Sequence, residues 1–106
     1  LGFWGWDPAR GEVMRCFMVP RMSTILAGGT AKADDTSFSL SAKIGAEDWG
    51  VLSNPYLLEN AKCTRYESSY KIDGDTFSYE ENTVMAMKSM GGKEMDHTDK
   101  HTLTRV

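Results

Sequence analysis

Polar and apolar residues alternate along much of the chain, and this alternation predicts β-strands rather than helices. Between 64 and 72 the even positions carry Thr, Tyr, Ser, Tyr and Ile, whereas the odd positions carry Arg, Glu, Ser and Lys. Segments 36–44 and 77–88 repeat the pattern. Because side chains on a strand alternate between its two faces, each segment is predicted to have one dry face and one wet face.

Turn signals separate these segments. The stretch DPARG at 7–11 combines a proline suited to a type I turn with a following glycine, which predicts a hairpin. Asp-Gly at 73–74 is the strongest short-range hairpin signal in the chain. Gly-Gly at 91–92 predicts a third turn, and Gly-Gly at 28–29 predicts a fourth.

Residues 47–61 break the alternation. Asn54 followed by Pro55 is typical of a helix start, because asparagine caps the first turn and proline suits the first helical position. We therefore expect a loop with about one or two helical turns here. The other segments give about seven strands in hairpin order, which predicts an all-β, antiparallel up-and-down β-barrel in one domain, 1–106.

The predicted strand count falls slightly short of barrel closure, since small closed barrels have about eight strands. A sheet that does not close leaves two edges whose backbone groups need partners. We therefore expect either a homodimer or an N-terminal segment that precedes this sequence.

Composition narrows the function classes. The chain is 41% hydrophobic and 25% charged, which is typical of a globular domain. Its net charge of −3, without a cluster of Lys and Arg, argues against nucleic-acid binding. No apolar run reaches the roughly 18 residues of a membrane span. Cys16 and Cys63 are predicted to be reduced thiols rather than a disulfide, which favours the cytoplasm.

Both histidines, His97 and His101, lie near the end of the chain. On a helix they could share a metal, but the β-branched residues around them favour a strand, where they would lie roughly 13 Å apart. His97 alone could be the axial ligand of a haem iron, with Asp99 as an orienting carboxylate, although side chains at this spacing are roughly 7 Å apart. The alternative is a surface histidine among polar neighbours.

Aromatic and methionine side chains are candidates for the lining of an interior pocket. Methionine adapts to irregular cavities, and seven methionines are many for this length. Ordinary core packing would use the same residue types, so both interpretations remain open. The candidate pocket residues are Trp4, Trp6, Met14, Met18, Phe38, Tyr66, Tyr70, Phe77, Tyr79 and Met85.

No catalytic motif is recognisable in the sequence. It contains no G-x-S-x-G elbow, C-x-x-C pair, H-E-x-x-H helix or phosphate-binding glycine loop. We therefore favour a protein that binds a hydrophobic small molecule, either haem or another apolar metabolite such as a fatty acid. The alternative is a structural or interaction module that dimerises through its β edges and binds no ligand.

Three stretches of the sequence resemble the nitrobindin-like haem-binding β-barrels, also described as fatty-acid-binding-protein-like barrels. These are "GFW" before a Trp-Asp-Pro turn, "YKIDGDTFSYEENTVMAMK", and the closing "HTDKHTLTRV". The resemblance implies a barrel related to lipocalins, often dimeric, with haem held by a histidine of the last strand. His97 is the nearest match, displaced by about one residue from the family spacing, which falls nearer Thr98. The resemblance also implies peroxynitrite isomerase-like chemistry if haem binds.

Overall fold

Eight β-strands make up most of the described chain, which in this computed structural model comprises residues 2–18 and 23–105. The first and last residues of the predicted domain 1–106 lie outside these ranges. The elements are β1 (Gly2–Asp7), β2 (Glu12–Met18), β3 (Thr24–Thr30), β4 (Ser37–Ile44), β5 (Gly50–Leu52), α1 (Pro55–Asn60), β6 (Ala61–Asp73), β7 (Thr76–Met87), a 3-10 turn (Lys88–Met90) and β8 (Glu94–Thr104).

All of these strands belong to one sheet, in the order β1-β2-β3-β5-β4-β6-β7-β8. Every pairing is antiparallel except the short one between β4 and β5. The sheet curls into a half-barrel, and within the described ranges no pairing joins β1 to β8. The predicted all-β fold, with incomplete closure, is confirmed.

The core lies on the inner, concave face of the curled sheet. Tyr66 and Leu40 are almost fully enclosed, with 1% and 2% of their surfaces exposed. The alternation predicted from the sequence is found in β4 and β6. In β6, the odd positions of 64–72 are exposed, so they lie on the outer face. The buried core cluster comprises Ile25, Ala27, Leu40, Ala42, Val51, Cys63, Tyr66 and Tyr70.

A β-bulge in β6 shifts by one residue the alternation of its side chains between the two faces of the sheet. Cys63 pairs with Met85 and Arg65 pairs with Val84, so Thr64 is the extra residue. Because the extra residue shifts the period by one, Cys63 and Tyr66 both point to the inner face although they are three positions apart.

The predicted hairpins at 7–11 and 73–74 are confirmed. Gly11 N donates to Asp7 O at 2.9 Å, and the Asp7 carboxylate accepts from Ala9 N at 3.0 Å. Gly74 has a φ of 60°, a left-handed conformation that glycine adopts without strain, and the flanking strands pair from there.

The predicted turn at Gly28 and Gly29 is wrong, because both residues lie inside β3. Their lack of a side chain serves close packing instead. A Cβ on Gly28 would lie 2.3 Å from the ring of Trp49, and one on Gly29 would lie 2.1 Å from the backbone oxygen of Ser39. Glycine within a strand often marks such an approach.

The predicted helix start is confirmed: the Asn54 side chain accepts a hydrogen bond from Leu57 N at 2.9 Å, and Pro55 opens α1. The short β5, which lies in the segment predicted as a loop, was missed. α1 has six residues, and no helix in the described ranges has the length and apolarity that a membrane crossing requires.

Candidate ligand-binding site

The strand register brings the predicted iron ligand onto the inner face. His97 on β8 pairs with Thr83 on β7, which in turn pairs with Tyr66 on β6. Residues paired in this way point to the same side of a sheet. Since Tyr66 faces the core, His97 also faces inward.

A cavity of about 350 Å³ lies beside His97. This volume is at the lower end of the range for ligand-binding pockets, roughly 300–1,000 Å³. Of the predicted pocket residues, Tyr66 and Met85 contribute to its walls. The lining residues are Arg15, Phe17, Ser23, Ile25, Cys63, Tyr66, Glu81, Thr83, Met85, His97 and Asp99.

Asp99 holds one ring nitrogen of His97. The ring Nε2 donates to Asp99 Oδ2 at 3.1 Å, so the expected separation of roughly 7 Å is wrong because the two side chains lean together. The other ring nitrogen, Nδ1, makes no hydrogen bond within the described ranges. The His97 side chain is 71% exposed, which shows that the cavity is open on the side of β8.

His101 lies away from this cavity. It pairs with Tyr79 and stacks on its ring, with the centroids 4.8 Å apart. Across 2–18 and 23–105 there is no group of three or more His, Cys, Asp or Glu side chains that could hold a metal ion.

A polar network that the sequence did not reveal contributes three side chains to the cavity wall. Arg15 Nη1 donates to Tyr66 Oη at 3.2 Å, to Tyr70 Oη at 3.3 Å and to Glu81 Oε2 at 3.1 Å. The Tyr66 hydroxyl donates to the same carboxylate oxygen at 2.5 Å. We call Arg15, Tyr66, Tyr70 and Glu81 the Arg15 network.

Burial raises the pKa values of two titratable groups that line the cavity. Burial, and then the hydrogen bond to Glu81, raise the pKa of Tyr66 above its ordinary value, so this phenol remains a hydrogen-bond donor at neutral pH. Burial raises the pKa of the Cys63 thiol, which therefore packs as a neutral apolar side chain. Cys63 and Cys16 are both free thiols.

Most of the other predicted aromatic side chains pack around Tyr70, which also belongs to this network. Tyr70 lies at their centre, 5.0 Å from the rings of both Trp4 and Phe38 and 5.7 Å from that of Tyr79. Such distances are those of packed aromatic pairs. This aromatic cluster, Trp4, Phe38, Tyr70, Phe77 and Tyr79, does not line the cavity beside His97.

Met14 and Met18 are not on the inner face, which corrects their assignment to a pocket. Met14 pairs with Gly5, whereas Arg15 pairs with the inward Trp4, so the two parities of β2 point to opposite sides. Met18 is 56% exposed. Trp6 shares the inner parity of Trp4, but it lies near the edge and is 44% exposed.

The hairpin register contains the signal that would have found Arg15. Asp7 and Glu12 flank the first turn, so residues whose numbers sum to 19 face each other and Trp4 lies opposite Arg15. Both parities of β2 are rich in apolar residues, and alternation alone therefore does not choose between them.

A larger depression of about 780 Å³ lies elsewhere on the sheet. Its walls are mostly serine and acidic side chains, which suit water better than a hydrophobic ligand. They include Ser39, Ser41, Glu67, Ser69, Glu80 and Asn82, on the outer parity of their strands. The smaller cavity beside His97 is therefore the better candidate site.

Comparison with known families decides the relationship of the chain. The family model for the THAP4-like, heme-binding beta-barrel domain matches residues 1–105. The chain belongs to this family. The match confirms the nitrobindin-like resemblance, and it supports ligand binding within a barrel. No curated protein and no solved structure matches the chain.

The residues of the inner face fit one part of a haem group, the ligand for which this family is named. Phe17, Ile25 and Met85 provide an apolar wall, and His97 provides a nitrogen donor beside it. Haem iron commonly takes such a histidine, and the porphyrin requires apolar surroundings. Because β8 is exposed along its whole length, these residues would cover only one side of the haem.

Proposed function

We propose that this half-barrel binds haem on its inner face, with His97 as the axial ligand. The observation that carries the proposal is the position of His97 at the mouth of the cavity, with one ring nitrogen held by Asp99. Membership of a haem-binding barrel family supports the same ligand.

The two faces of β8 favour His97 over its neighbour. Thr98, the position nearer the family spacing, accepts a hydrogen bond from Asn82 Nδ2 at 3.0 Å on the opposite face of the sheet. Thr98 therefore points away from the cavity, and His97 supplies the nitrogen donor at this level of the strand.

The chain's own residues would bind and orient the group. Phe17, Ile25 and Met85 would contact its flat face and exclude water there. Asp99 would fix the orientation of the His97 ring, as carboxylates do for metal-bound histidines. When bound, the iron would supply redox and nitrogen-oxide chemistry, including the isomerisation of peroxynitrite.

We also propose that the protein is a homodimer in the cytoplasm. The exposed side of the His97 cavity and the edges β1 and β8, unpaired in the described part of the chain, would be covered by a second copy. The free thiols are consistent with a reducing compartment. Sedimentation of the purified protein at several concentrations tests the dimer.

A haem titration followed by absorbance tests the ligand. We expect saturable one-to-one binding with a shifted Soret band, lost in His97→Ala and kept in His101→Ala. The second variant is a matched control, because His101 lies on the same face of the same strand but outside the cavity. Absence of saturable binding by the wild type would contradict the proposal.

The unpaired edges also favour a second candidate, an interaction module that dimerises without a ligand. A ligand that binds only the native state stabilises it by mass action. Thermal unfolding with and without haem separates the two candidates. The interaction module predicts a melting temperature that depends on protein concentration and does not respond to haem.

A further inference from the structure

Arg15 reaches across the half-barrel rather than to a neighbouring strand. It lies on β2, whereas its partners Tyr66 and Tyr70 lie on β6 and Glu81 lies on β7. In the sheet, β3, β5 and β4 separate β2 from β6. The Arg15 network therefore joins the two walls of the interior.

The strand register places this network between the cavity and the aromatic cluster. On β7, Glu81 lies between Thr83, which lines the cavity, and Tyr79, which belongs to the cluster. On β6, Tyr66 pairs with Thr83 and Tyr70 pairs with Tyr79, so the same order is repeated there. The network therefore forms a floor with the His97 cavity on one side and packed aromatic rings on the other.

This floor is held from several directions. The Arg15 guanidinium lies 4.5 Å from the centre of the Phe17 ring and 5.6 Å from that of Trp4. The side chains of Arg15 and Glu81 are only 22% and 18% exposed. Removing one partner of an enclosed ion pair leaves a charge without compensation, which is costly. The hydrocarbon part of a fatty acid offers no replacement for those contacts.

We propose that Arg15 determines the class of ligand that this site accepts. Arg15, Tyr66 and Glu81 all line the cavity beside His97, so a ligand bound at His97 lies against the network rather than beyond it. An extended acyl chain would need the space that the Arg15 network and the aromatic cluster occupy. The inference rests on the proposed function and selects a planar ligand over a fatty acid for the same site.

A double variant, Arg15→Ala with Glu81→Ala, tests the inference, because it empties part of the space that an acyl chain would need. It removes both charges together, so that neither is left buried alone. The matched control is Arg65→Ala with Glu67→Ala, since this pair has the same 3.1 Å separation but is more than half exposed on the outer face. Binding of cis-parinaric acid, a fluorescent long-chain fatty acid, is measured for all three proteins.

We expect the wild type and the control to bind cis-parinaric acid equally weakly, and the Arg15 double variant to bind it about tenfold more tightly or better, a change of ~1.4 kcal/mol. Equal affinity in all three folded proteins would overturn the inference. If circular dichroism shows that the double variant does not fold, Arg15→Ala alone must give a smaller gain, and no gain would overturn the inference too.

Haem titration of the same wild-type sample separates this inference from the proposed function. If the wild type binds no haem, the proposed function fails, but the comparison of cis-parinaric acid affinities still shows whether Arg15 closes the cavity. If haem binds and the acyl probe binds equally well to wild type and double variant, only the inference about Arg15 fails.

Discussion

The Tyr66 hydroxyl donates to Glu81 Oε2 at 2.5 Å, and this bond joins β6 to β7 across the inner face. Arg15 donates to both partners, so the carboxylate accepts from a phenol and a guanidinium at once. Hydrogen bonds to charged groups contribute more to stability than neutral ones. The floor of the cavity is therefore also a stabilising element of the sheet.

Tyr66→Phe should lower the free energy of unfolding by about 1.5–3 kcal/mol, because a buried hydrogen bond to a carboxylate is lost while the ring remains. Urea unfolding measures the change. Tyr79→Phe is the matched control, since the Tyr79 ring packs in the aromatic cluster and its hydroxyl has no hydrogen bond within the described ranges. Equal losses in both variants would show that the bond to Glu81 contributes nothing.

Stability should fall as pH rises above about 8.5, the ordinary value at which a thiol ionises in the unfolded chain. Burial raises the pKa of Cys63 in the folded state, so over this range the unfolded chain binds fewer protons than the folded one. The stabilisation is complete below the unfolded pKa and is lost above it. Urea unfolding between pH 7 and about 9.5 should give a shallower decline for Cys63→Ala. An unchanged slope would contradict the assignment.

Gly29→Ala should destabilise the domain by about 1–3 kcal/mol or more, because the new Cβ would meet the backbone oxygen of Ser39. Gly28→Ala should also destabilise, but its obstacle is the side chain of Trp49. Adding Trp49→Ala should therefore relieve part of the cost of Gly28→Ala and none of that of Gly29→Ala. A double-mutant cycle from thermal unfolding measures this, and equal relief of both costs would contradict the packing described.

Asp99→Asn should weaken haem binding by about tenfold, the lower end of the range for groups that orient metal ligands, since both side chains are largely exposed. The Soret position should change as well, because the charge of the partner of His97 changes. Asp96→Asn is the control, since Asp96 lies on the opposite face of β8. Identical affinities and spectra for the two variants would exclude an orienting role for Asp99.

Local patterns in the sequence predict most of the fold because they act over short distances. The turn at 7–11, the glycine at 74 and the Asn54 cap each depend on a few neighbouring residues, and all are found. Gly28 and Gly29 were misassigned because a glycine pair signals a turn locally, whereas its actual cause is the approach of Trp49 and Ser39 from distant parts of the chain.

The candidate site is less predictable for the same reason. His97 was identified from its residue type and its strand, and the structure places it at a cavity. Arg15 and Glu81 were not identified, because their role arises only when the sheet curls and brings β2 opposite β7. Which residues of β2 face inward could be decided only from the hairpin register, since apolar residues occupy both faces of this strand.

The reach of Arg15 has a consequence for the order in which the chain folds. Its partners Tyr66 and Glu81 lie 51 and 66 positions later in the sequence. During synthesis the inner face of the first three strands therefore has no opposite wall until β6 and β7 have emerged. Contacts between such distant residues slow folding, whereas β6 and β7, with 13 and 12 residues, form a longer local hairpin than β1 and β2, with 6 and 7, and can pair early. Pulse-labelled hydrogen exchange should accordingly protect the amides of β6 and β7 before those of β2.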